Sequence, residues 1–68
     1  MQKIKRIVVA GEDVAQVDIA IWEGATFVIR VGRGKDITFR NQRIEDEAAY
    51  CELVDGEETL RKLREAAA

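Results

Sequence analysis

The stretches of this 68-residue chain whose residue types could do chemistry are few. Gly32-Arg33-Gly34-Lys35 offers glycines that let an anion approach the backbone and cations that would neutralise it. A Walker-type phosphate loop needs a fuller glycine spacing, a Lys-Ser/Thr ending and a helix directly after it, whereas β-rich sequence follows here, so turn chemistry is the stronger reading. Cys51 as a nucleophile would need an activating base, and the chain has no histidine; it reads better as a small buried hydrophobe. Glu45-Asp46-Glu47 could chelate a hard cation, yet consecutive acids lack a calcium-loop spacing and suit the start of a helix. No catalytic residue, metal site or cofactor is expected, and the chain is read as a non-enzyme.

Binding is the remaining chemistry. Arg30, Arg33, Lys35, Arg40 and Arg43 could line up as a basic strip for nucleic acid, with Trp22 or Tyr50 stacking on a base. Asp18 and Asp36 neutralise part of that strip, which favours an ordinary solvated face. Trp22 is more informative, because a tryptophan at a hairpin tip either covers the edge of a core or anchors a partner. The surface expected to bind a partner therefore comprises Trp22, Arg33, Lys35 and Arg40.

Length and charge bound the rest. The chain makes one small domain over residues 1–68, and a core of this size supplies only about 3 to 5 kcal/mol of surplus, so help from a partner is expected. A single cysteine excludes an internal disulfide and a multi-cysteine zinc site, and a cytosolic location follows most simply. The opening MQKIKRIVVAG is basic then apolar, but its apolar run is too short for a signal peptide or a membrane span. The net charge of −2 divides into −1 over residues 1–29, +4 over 30–43 and −5 over 44–68. This dipolar arrangement argues against simple coating of nucleic acid and for a protein partner.

The elements that must position these residues centre on Val17 to Phe39. Trp22-Glu23-Gly24 and Gly32-Arg33-Gly34 both end in glycine, which suits the left-handed position of a three-residue hairpin loop. That register pairs Ile19 with Phe27, Phe27 with Phe39, and Ile29 with both Val17 and Ile37. One face then collects Val17, Ile19, Ile21, Phe27, Ile29, Ile37 and Phe39, and the other Asp18, Ala20, Thr26, Val28, Arg30, Asp36, Thr38 and Arg40. Arg30 is expected opposite Asp36, with Asp18 nearby.

Ile4 to Ala10 reads as a first strand turned by Gly11-Glu12-Asp13, with its register open: Ile7 and Val9 suit one face, Ile4 and Val8 the other. Ile44 to Val54 reads as a helix, the competing reading being a fifth strand over Ala49–Val54 with Cys51 and Leu53 inward. Asp55 suits a helix N-cap with Glu58 three residues on. The helix from Gly56 to about Ala67 carries a Leu60, Leu63, Ala67 stripe and the pairs Glu57–Arg61 and Glu58–Lys62. The expected fold is α+β: an antiparallel four-stranded β-meander, with a possible fifth strand and one or two C-terminal helices on one face. Its open edges, with Ile4 or Val8, Ala20 and Val28 on the second face, predict a homodimer.

Ile4-Lys5, the run Asp18-Ile19-Ala20-Ile21-Trp22-Glu23-Gly24, Arg30-Val31 and an acidic helical end together resemble the small phage-encoded anti-CRISPR proteins that inhibit type I surveillance complexes. The resemblance covers the first half of the chain. It implies a phage inhibitor, without enzymatic activity, that occupies a host or defence protein complex; the alternative is a small nucleic-acid-binding accessory protein using the basic hairpin.

Overall fold

A computed structural model describes residues 1–33 and 35–67, with the side chain of Ala67 left aside. It contains strands β1 (Gln2–Val9), β2 (Glu12–Ile21), β3 (Thr26–Val31), β4 (Lys35–Glu45) and β5 (Ala48–Asp55), then helix α1 (Glu57–Ala67). The strands form one mixed sheet in the order β2-β1-β5-β4-β3. β1 runs parallel to β5, and the other neighbours are antiparallel. The α+β class stands, but the meander does not: the described residues form five strands and the sheet is mixed.

The main correction concerns β2 and β3. They are consecutive in sequence, yet they form the two outer edges of the sheet and do not pair. The expected partners Ile19 with Phe27 and Val17 with Ile29 are therefore not ladder partners; Ile19 lies opposite Ile4 instead. The connection between them is nonetheless tight, because Ala25 N donates to the Trp22 carbonyl at 3.1 Å. A flat five-stranded sheet is roughly 19 Å across at its usual strand spacing, so a link this short requires the sheet to curl and bring its edges together at that end. The result is a half-barrel whose concave side holds the core.

The expected faces survive this change, since alternation within a strand does not depend on its neighbour. Ile21, Ile37 and Phe39 are buried and Val17, Ile19, Phe27 and Ile29 half-buried, while Asp18, Ala20, Thr26, Val28, Arg30, Asp36 and Arg40 are exposed. The β3–β4 hairpin has the predicted register throughout, from Val31 opposite Lys35 through Ile29 opposite Ile37 to Phe27 opposite Phe39. Arg30 bonds Asp36 at 3.1 Å, but Asp18 lies at the other edge with Lys3, 3.3 Å away. Ile4 and Ile7, three residues apart, are both fully buried. The β1–β2 ladder shifts register between them, and such bulges reset alternation and increase local bending.

Residues 44–54 are not a helix. Ile44 and Glu45 end β4, and the chain reverses over Asp46 (φ 53°) and Glu47 (φ 60°), with Glu45 opposite Ala48. This is the two-residue hairpin turn with both central residues left-handed, which glycine or asparagine usually signals and Asp-Glu does not. β5 is then buried between β1 and β4, and burial of Ala48, Ala49 and Cys51 overrides their neutral or helical preference. The fifth-strand reading holds, with Cys51 buried and Leu53 half-buried. The first turn is likewise shorter than expected, Ala10-Gly11 joining Val9 to its partner Glu12.

One helix follows. Its first intrahelical acceptor is Gly56, whose carbonyl receives Leu60 N at 2.9 Å, so Gly56 and not Asp55 is the N-cap; the Asp55 carboxylate accepts from Gly56 N instead. Leu60 is buried in the same core as Phe39, and Leu63 packs against that core; Ala67, the last expected member of the stripe, has its side chain outside the described residues. Glu58 pairs with Lys62 as predicted, whereas Arg61 bonds Glu65 and Glu58 in place of Glu57. Gly56 sits against Asp36 and Ile37 at the start of β4, and Arg64 reaches Glu12 at the start of β2, so α1 crosses one end of the half-barrel.

Candidate functional site

The other end of the half-barrel is closed by the Trp22–Ala25 link, and Asn41 holds that link in place. Asn41 follows Ile37 and Phe39 at the inward parity of β4 and is 1% exposed. Its backbone N–H donates to the Ala25 carbonyl at 2.8 Å and its Nδ2 donates to the Trp22 carbonyl at 3.1 Å. Ile44 N–H adds a bond to the Glu23 carboxylate at 3.3 Å. Gly24 takes φ 87°, the left-handed conformation its position calls for. A buried amide so used fixes the turn backbone, and the Trp22 side chain projects from it 64% exposed. Sequence reasoning passed over Asn41, although the Ile-x-Phe-x-Asn alternation places it on the core face.

The candidate residues do not form one patch. Trp22 lies at the link end of β3, whereas Arg33 and Lys35 are exposed at the opposite, helix-capped end. The intervening strand Thr26–Val31 separates them by roughly 17 Å at the usual rise per residue. Arg40 lies opposite Thr26, close to the Trp22 end, with its guanidinium 3.3 Å from Glu52. The other cations of the expected strip are also engaged: Arg30 with Asp36, and Arg43 with Glu45 and over the Tyr50 ring at 4.0 Å. Each exposed pair is worth little in stability, but together they neutralise most of the basic strip.

Cys51 is buried opposite Asn41, and its thiol donates to the Ala49 carbonyl at 3.5 Å. Burial pushes its pKa from 9.0 up to about 11, because the thiolate would be poorly solvated there. Below about pH 9 the thiol is neutral in both folded and unfolded chains, and between about pH 9 and 11 only the unfolded chain ionises, so stability falls as pH rises through that window. Iodoacetamide at pH 8 is expected to leave native Cys51 unmodified and to alkylate it once urea unfolds the chain. Rapid alkylation of the native protein would contradict this placement. Among the described residues, no group of three or more acidic, histidine or cysteine side chains stands close enough to hold a metal ion. Nor is any helix there long and apolar enough to cross a membrane.

The chain matches no protein-family model, no curated protein and no solved structure.

Proposed function

We propose that this protein is a non-enzymatic protein-binding module whose anchor is Trp22. The observation that carries the reading is an exposed indole on a turn whose backbone is already fixed by the Asn41 amide, the Ala25 N–H and the Glu23 carboxylate. Aromatic anchors supply much of the energy in protein interfaces, and a pre-ordered one loses little entropy on binding. Arg40, close by on β4 and paired with Glu52, supplies a polar flank, while Arg33 and Lys35 at the far end of β3 would serve encounter rather than the same contact. The phage-inhibitor form, in which the partner is a bacterial defence complex, rests on the resemblance of the first half of the chain.

The test is capture of a partner from bacterial lysate by the wild-type chain and by Trp22→Ala, with circular dichroism confirming that the variant folds. Saturable binding is expected for the wild type, and truncation of an anchor of about 2 kcal/mol should weaken it about 30-fold. Equal capture by both would remove Trp22 as the anchor. Tight oligonucleotide binding with a salt slope near about −0.9 per phosphate would instead support the nucleic-acid reading. The narrower inhibitor form predicts restored plaquing of a phage targeted by a type I system.

A further inference from the structure

The two edges of the sheet are built differently. β2 carries two register shifts against β1, a device that keeps an edge strand from pairing, while its exposed acids Asp13 and Asp18 are paired within the chain by Arg6 and Lys3. β3 lacks that device: its ladder with β4 is unbroken, and its one charge, Arg30, is likewise paired within the chain by Asp36. The direction of its free backbone groups follows from one hydrogen bond. Asn41 N donates to Ala25 O, so Ala25, Phe27, Ile29 and Val31 bond toward β4, and the N–H and C=O groups of Thr26, Val28 and Arg30 point away from it.

We propose that this edge pairs with a second copy of the chain, antiparallel and in register about Val28. In that register Val28 meets Val28 across the dyad and Thr26 meets Arg30, so every free donor and acceptor on these three residues finds its counterpart. On the outer face the pairing covers Val28, which is 54% exposed; on the inner face it sets half-buried Phe27 against Ile29. A shift to Ile29 on the dyad leaves Thr26 unpaired and puts Val28 against Arg30, and a shift by one residue turns inner faces against outer. The dimer brings the basic hairpin tip of one copy to the Trp22 end of the other, and it stands whether or not Trp22 binds a partner.

Sedimentation equilibrium across about 1 to 100 µM tests this, because a dimer is populated by mass action. The wild type is expected to reach twice the mass of one chain. Val28→Lys, at an exposed position, should hold the mass of one chain by placing like charges on the dyad, while Gln16→Lys on β2 should leave the dimer intact. Hydrogen exchange of the wild type gives a reading without any variant: the amides of Thr26, Val28 and Arg30 should be slowed at high concentration and fast at low. A wild-type mass of one chain throughout, a dimer that survives Val28→Lys, dissociation by Gln16→Lys, or concentration-independent fast exchange at those amides would each overturn the proposal.

Discussion

Gly56→Ala is expected to destabilise the fold by roughly 2 to 4 kcal/mol, the combined effect of a left-handed backbone and overpacking. Gly56 has φ 95°, where a Cβ is strained whatever surrounds it. The surroundings are not open either: a Cβ there would lie 2.7 Å from the Asp36 carbonyl oxygen and 2.9 Å from Ile37 Cα, both backbone atoms that cannot swing aside. Relief would require α1 to lift from β4, withdrawing Leu60 from the core it shares with Phe39. Urea melts of Gly56→Ala and Gly24→Ala separate the two effects. Gly24 also has positive φ, but a Cβ added there would meet nothing within 4 Å, so it reports backbone strain alone and should be the milder. Equal losses would show that the contact with β4 is not a tight one.

Phe39→Ala is expected to lower stability by about 3 to 5 kcal/mol, the usual range for a buried phenylalanine. Phe39 is 1% exposed, and its ring centroid lies 5.6 Å from that of Phe27. Phe27 faces the same core but sits half-buried on the edge strand, so Phe27→Ala should cost distinctly less. Thr38→Ala, on the opposite face, should be mild. Thermal or urea unfolding in which Phe27→Ala equalled or exceeded Phe39→Ala would contradict the position of β3 at the edge.

The β3–β4 hairpin was legible because everything that defines it is local: the Gly32-Arg33-Gly34 turn, strict alternation on both arms, and opposite charges at Arg30 and Asp36; Gly34, the glycine expected to be left-handed, lies outside the described residues. The β2–β3 link was legible only as a turn. Gly24 adopts the conformation its place demanded, but a tight turn does not decide whether the strands it joins then pair or diverge. That choice lies in the non-local pairings of β1, which takes β2 on one side and β5 on the other, and the sequence around the turn carries no trace of them. Residues 44–54 misled for a related reason. Their glutamates and alanines favour a helix in isolation, and the Asp46-Glu47 turn lacks the glycine that ordinarily announces it. As for the candidate site, exposed Trp22 at a turn was readable, whereas the engagement of Arg40 by Glu52 depends on a strand that the helical reading had removed.

The parallel pairing of β1 with β5 also sets a schedule. Arg6 lies beside Ala48 and Val9 beside Cys51, so the first strand to be synthesised waits for the last before its second neighbour exists. Until then Ile7 and Val8 have only the β2 hairpin to cover them, and a two-stranded hairpin is marginal in water. Closure of so long a loop before its contacts are rewarded slows folding relative to a meander of the same size. At translation rates of about 5 to 20 residues per second, the interval between completion of the β1–β2 hairpin and release of β5 lasts on the order of seconds. During that interval β1 is paired on one edge only, and the edge later covered by β5, with Ile7 and Val8 beside it, is open to a chaperone or to misassembly with a neighbouring chain.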